Sequence, residues 1–220
     1  MIISIRGTSG SGKTTLVRRI KDWWSDDWEI QVENGKITGY TSGRVFIFGP
    51  YREGLQSGGA DTTKWGAFRT RQYRMDYIAQ WAQKGYHVVF EGLMESNEVH
   101  RTVAWGTICP VHVIYLDTPL EDCFAYINKR RMARGLLTPV DPYHTKHKYG
   151  DLQRVQQRLV AAGLDAPWLD REAAFQRVCE LLKTKEEIVP HDYAPSVMHM
   201  GDCNICGNLQ DHPIHRKEKS

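Results

Sequence analysis

The run Gly7, Thr8, Ser9, Gly10, Ser11, Gly12, Lys13, Thr14 and Thr15 carries the sharpest chemistry in the chain. Its spacing, G-x-x-x-x-G-K-T, suits a loop whose glycines let backbone N–H groups turn inward around a polyphosphate. All nine residues are therefore expected to hold a nucleoside triphosphate. Lys13 is placed to reach the β- and γ-oxygens, and Thr14 offers the hydroxyl that would ligate Mg²⁺. The N-terminus of a helix opening here adds partial positive charge beneath the phosphates. The context agrees: β-type Met1-Ile2-Ile3-Ser4-Ile5 precedes the loop, and amphipathic Leu16-Val17-Arg18-Arg19-Ile20 follows it. A glycine turn serving only strand-to-helix packing would leave Lys13 without a reason.

In an open parallel sheet, ligands lie beyond the carboxyl ends of the strands. Glu91 ends the buried-type run His87-Val88-Val89-Phe90. A carboxylate there can hold Mg²⁺ through water or accept the proton of an attacking hydroxyl; the alternative is an acidic cap on the turn at Gly92. Asp117, after Val111–Leu116, reads chiefly as the cap of the next helix. Phosphoryl transfer also requires positive charge around the moving group. Arg130 and Arg134, four apart near a helix end with Lys129 and Arg131, can close over a triphosphate, or form a solvated basic face. The acceptor side is expected over Tyr51 to Thr63, within the long loop from Gly49 to Gly66. There Gly58 and Gly59 permit close approach, Arg52 can contact a phosphate, and Asp61 can act as base toward an alcohol or cap a helix starting near Trp65. Arg69 joins Arg52 and Arg71 as a possible grip on a substrate phosphate. Tyr40, Tyr51, Trp65 and Tyr73 can stack a base or belong to the core.

These residues need an α/β scaffold to position them. Alternating strand and helix patterns predict a parallel sheet covered by helices on both faces. Helices are expected over 14–24, 65–84, 97–105, 120–134, 151–163 and 170–183. Asn34-Gly35 between alternating residues signals a hairpin, and with Arg44–Phe48 it suggests an antiparallel insert over about 29–50. The polar stretch 135–150, with His144 and His147, suits a lid. The expected division is a kinase-sized domain over 1–185 and a tail over 186–220. Lys and Arg exceed Asp and Glu by 29 to 26, a net charge of +3 that neither demands nor excludes a nucleic-acid partner. No apolar run approaches the roughly 20 residues of a membrane span, and Met1 opens a core strand, so a cytoplasmic protein is expected. Cys109, Cys123 and Cys179 read as small buried hydrophobes. Cys203 and Cys206, with His212 and His215, have the density of a structural Zn²⁺ knuckle over 203–215, although His191 or His199 can replace a ligand and two free thiols are the alternative.

With its phosphate loop, Glu91-Gly92, the run Ile114-Tyr115-Leu116-Asp117-Thr118-Pro119-Leu120-Glu121 and the basic 130–134 helix end, the chain resembles small P-loop kinases over about residues 1–183. The compact form, the antiparallel insert and Gly58-Gly59-Ala60-Asp61 are most similar to bacteriophage kinases that phosphorylate 5-hydroxymethyluracil in DNA. That resemblance implies transfer of the ATP γ-phosphate to the hydroxymethyl group of a base within the polymer, priming thymidine hypermodification in an infected host cell. DNA bearing a modified base is the implied partner. A free nucleotide or other small alcohol is the alternative acceptor, and an NTP-hydrolysing switch or motor the second alternative. Oligomeric state is left open.

Overall fold

The computed structural model describes residues 1–52, 58–63, 67–68 and 70–183. Among these residues seven strands, β1 (Ile2–Arg6), β2 (Glu29–Glu33), β3 (Lys36–Ser42), β4 (Val45–Phe48), β5 (His87–Glu91), β6 (Val111–Leu116) and β7 (Trp168–Leu169), form one sheet in the order β2-β3-β4-β5-β1-β6-β7. β4, β5, β1, β6 and β7 pair in parallel, whereas β3 is antiparallel to both its neighbours. β4, read from sequence as part of an antiparallel piece, thus joins β3 on one side and extends the parallel sheet through β5 on the other. Asn34 (φ 50°) heads the two-residue turn between β2 and β3, as its Asn-Gly signal requires.

Among the described residues six α-helices cover the sheet: α1 (Lys13–Trp24), α2 (Arg71–Gln83), α3 (His100–Trp105), α4 (Leu120–Met132), α5 (Pro142–Ala161) and α6 (Arg171–Lys183). The period-2 alternation of the strands sorts the core into two layers. Ile3, Ile5, Val89 and Ile114 face Leu16, Val17 and Ile20 of α1 and Val178 of α6. Ile2, Val88, Phe90 and Val113 face Met75 and Ile78 of α2, Trp105 of α3 and Leu152 and Leu159 of α5.

Three expectations need correction. α2 begins at Arg71 rather than near Trp65, because Thr70 is its cap and its hydroxyl accepts the Tyr73 N–H at 3.2 Å. The stretch 135–150 is loop only as far as Asp141, whose carboxylate caps α5 by accepting the Tyr143 N–H at 2.9 Å. Pro142 then supplies the preorganised first helical residue, so His144, His147 and Lys146 to Lys148 lie on a helix. Asp117 does not cap α4, which begins after Pro119 with no side-chain cap.

Two buried arginines pin the carboxyl end of the sheet. Arg6, at the end of β1, donates to Ser4 Oγ, Thr102 Oγ1 and the carbonyls of Ser96 and Glu98, tying the segment after β5 to the central strand. Arg74 of α2 donates through Nε (3.0 Å) and Nη2 (2.8 Å) to Glu95 Oε1, with the two side chains only 2% and 1% exposed. Removing one partner strands a buried charge, while replacing both restores an uncharged interior. Arg74→Met is therefore expected to lower the unfolding free energy by about 3–5 kcal/mol. Urea titration of Arg74→Met combined with Glu95→Met should recover most of that loss.

Candidate active site

The phosphate loop leaves β1 at the middle of the sheet and enters α1 at Lys13, so its amides converge beyond the carboxyl end of the central strand. Gly10 has φ +80°, and a side chain there would run into the Cys123 carbonyl of α4. The glycine thus lets α4 pack directly against the loop. Thr118 clamps it from the same side, its hydroxyl donating to the Ser11 carbonyl at 2.9 Å. The buried Lys13 ammonium donates to the carbonyls of Gly7 (2.9 Å) and Thr8 (2.7 Å), which folds the side chain back over its own loop. A cradle of this shape, with a buried ammonium and the Thr14 hydroxyl at its rim, fits a magnesium-bound polyphosphate.

Strand periodicity places Glu91 on the α1 face, two residues beyond Val89 and paired in register with Ile5. There its Oε1 accepts the Thr14 hydroxyl at 2.8 Å. Burial raises the Glu91 pKa to about 7 against the opposing pull of Lys13 and the Thr14 bond. Burial likewise lowers the Lys13 pKa, with Glu91 the largest opposing influence. Gly59, φ +83°, lies against the Glu91 carboxylate, where any Cβ would collide with Oε1. Asp61 accepts the N–H groups of Leu93 (2.6 Å) and Met94 (3.2 Å), fixing the Asp61 turn to the exit of β5.

These parts enclose a cavity of 540 Å³ that brings Lys13, Thr14, Gly58, Asp61, Glu91 and Arg130 together. Ser9, Gly10, Gly12 and Thr15 also line it, while Gly7, Thr8 and Ser11 form the loop beneath. Arg134 does not reach this lining. α4 ends at Met132, and Arg134 sits exposed in the turn closed by Gly135. Arg52 is exposed and also outside the lining. Arg69, Trp65, His191, His199 and the Cys203, Cys206, His212, His215 group lie outside the described residues. Among the described residues no three His, Cys, Asp or Glu side chains converge as metal donors, and no helix is long and apolar enough to cross a membrane.

Sequence reasoning overlooked Arg18, Tyr126 and Arg171, which line the same cavity, and gave Lys129 only a supporting place. Tyr126 stands three and four residues before Lys129 and Arg130, a helical spacing that would have exposed it. Arg171 comes from α6, packs its stem against Gly12 and donates to the Tyr126 hydroxyl at 3.4 Å. No local signal links residues 12 and 171, because only closure of the fold joins them.

A phosphate cradle at the head of a central parallel strand, faced by a buried carboxylate and the cations of α4, defines a P-loop kinase, a phosphotransferase. No protein-family model matches the chain. It is 33% identical over 190 residues to the 5-hmdU DNA kinase of Pseudomonas phage PaMx11, spanning 83% of this chain and 97% of that protein. It is 27% identical over 202 residues to the 5-hmdU DNA kinase of Delftia phage PhiW-14, spanning 84% and 73%. The chain belongs to the family of phage 5-hmdU DNA kinases. Among solved structures it is similar to a deoxyadenosine kinase from M. mycoides (15% identity, 83% and 98% covered, TM-score 0.40) and a gluconokinase from Sinorhizobium meliloti (12%, 84% and 97%, TM-score 0.40), a likeness too loose to bear on the site.

The raised Glu91 pKa has a signed consequence for stability. As pH rises from 4.5 to about 7, the unfolded chain loses this proton while the folded one keeps it, so the carboxyl's contribution is full at low pH and falls across that window. In urea unfolding of metal- and nucleotide-free protein, the wild type is expected to lose on the order of 2–3 kcal/mol relative to Glu91→Gln over that range.

Proposed function

We propose that the chain transfers the γ-phosphate of ATP to the 5-hydroxymethyl oxygen of 5-hydroxymethyluracil in DNA, in the cytoplasm of an infected host cell. The observation that carries the acceptor assignment is the 33% identity, over nearly the whole of that relative, to a kinase named for 5-hmdU DNA. The geometry supplies a matching set of roles. The amides of the loop and the Lys13 ammonium hold the β- and γ-phosphates. The Thr14 hydroxyl, with Glu91 beside it, would hold Mg²⁺, which when bound neutralises charge between those phosphates. Lys129 and Arg130 face the same cavity from α4 and offset the negative charge that spreads over the transferring group.

Glu91 is the carboxylate within reach of the loop whose burial raises its proton affinity, so it is assigned as acceptor of the hydroxymethyl proton. The attacking oxygen forms a bond to the γ-phosphorus as the β–γ bridging bond breaks, and ADP carries away the bonding pair. Asp61 serves this step by holding the amides of Leu93 and Met94, which shapes the wall past which the acceptor enters. Gly59 packs directly against the Glu91 carboxylate and Gly58 against Tyr51 and Thr14, close approaches that let the acceptor-side loop lie on the site and that a side chain would prevent.

The test is transfer of label from γ-labelled ATP to paired DNAs that carry either thymine or 5-hydroxymethyluracil. Label is expected only with the modified DNA; label appearing only in the free nucleotide would overturn the reading. Lys13→Ala is expected to cut transfer by about 10³-fold or more while the circular dichroism spectrum stays that of the wild type, since the two bonds it loses are to carbonyls of its own loop and not to the helices or the sheet.

A further inference from the structure

A second cavity, of 440 Å³, opens between α5 and the turn that follows β5. Ser9 and Leu93 line both cavities, so the two share a wall beside the phosphate loop. His144 and Lys148 are four apart on α5 and therefore stack on one face, and both line this second space with Asn97 and Arg71. Three groups able to carry positive charge thus converge from two helices at a distance in sequence. Burial lowers the Lys148 pKa; Asp151 and Asp61 oppose this, while Lys13 and Arg71 add to it. Lys148 is half-buried, yet among the described residues its ammonium makes no hydrogen bond or ion pair. Arg71 gives one nitrogen to Glu98 at 2.5 Å, and its Nε is buried with no partner among the described residues.

His144 is exposed and Arg71 is already paired with Glu98, so it is the half-buried Lys148 ammonium, with His144 beside it, that an anion in this cavity would join. A phosphate matches the fork of Arg71 and the point charge of Lys148. Leu93 and Met94 add an apolar lip on the side nearer Glu91, the kind of surface a nucleobase lies against.

We infer that this second cavity is the acceptor cleft, in which Arg71, His144 and Lys148 grip a phosphate of the acceptor while its hydroxymethyl group passes Ser9 and Leu93 toward Glu91. The inference rests on the kinase reading above and adds the acceptor's anchoring group. It gives the histidine- and lysine-bearing start of α5 a task, and it moves the main phosphate contact from the loop at Arg52 to that helix.

The test is fluorescence anisotropy of a labelled single-stranded oligonucleotide containing one 5-hydroxymethyluracil, without ATP. Lys148→Gln is expected to weaken binding about tenfold and to flatten the dependence of log Kd on log salt by about 0.7, the slope carried by one phosphate on a single strand. His144→Gln should weaken it about threefold, and ATP affinity should stay within about twofold of wild type in both. Unchanged oligonucleotide affinity and salt slope in both variants, or an equal loss of ATP affinity, would overturn the inference. Competition separates the sources of phosphate. If Lys148→Gln weakens the 5-hydroxymethyluracil nucleoside monophosphate but not the phosphate-free nucleoside, a terminal phosphate suffices; if it weakens only the oligonucleotide, the grip is on a phosphodiester. Equal weakening of the phosphate-free nucleoside counts against a phosphate grip. Should the wild type transfer no phosphate to the modified base while Lys148→Gln still weakens the oligonucleotide, the assigned reaction falls and the cleft stands.

Discussion

The site depends on an ammonium taken out of water at the end of the central strand. Lys13 is buried, and it is tolerable there because the Gly7 and Thr8 carbonyls accept two of its three donors and Glu91 supplies opposite charge nearby. The third donor is left for an oxygen in the cavity. This arrangement fixes the path of the loop, because the two carbonyls can meet one ammonium only if the chain between them is curled. It also holds Glu91 at the balance between protonated and ionised forms, since burial pushes its pKa up and Lys13 pulls it down. The buried ammonium therefore shapes the loop and offsets part of the rise that burial imposes on the Glu91 carboxyl.

Around that centre, the fold holds its other parts by a small number of buried polar ties. Arg6 secures the carbonyls of Ser96 and Glu98, Arg74 secures Glu95, and Asp61 secures the amides of Leu93 and Met94. All three act on the single stretch that follows β5. That stretch supplies Leu93 to the linings of both cavities, so in the function proposed above its rigidity would set how far an acceptor oxygen stands from the donor phosphates. Charge-assisted hydrogen bonds suit this task better than apolar packing because they specify direction as well as proximity.

Much of this was legible in the order of residues. The phosphate loop carries its own geometry in glycine spacing and a following Lys-Thr pair, and the strand ending in Glu91 announces a residue at the ligand edge of the sheet. The Asn34-Gly35 turn and the boundaries of β6 were equally local. The start of α5 carried a readable signal, Asp141 before Pro142, but polar composition outweighed it. What could not be read was any pairing over long separation: Arg6 with Thr102, Arg74 with Glu95, Gly12 with Arg171. Such contacts are decided by which faces meet once the sheet has formed, and no window of sequence contains both partners. Arg134 failed for a different reason, since a helix that ends two residues early turns a shared face into an exposed turn.

The position of Arg171 bears on how the enzyme matures. Its stem lies against Gly12, and α6 packs on α1 and on β7, which pairs with β6, so a loop near one end of the described residues is walled by a helix near the other. An emerging amino-terminal half therefore has the cradle's sequence without its closing wall. In the function proposed above, the triphosphate cavity of such a half lacks its Arg171 side until α6 has docked.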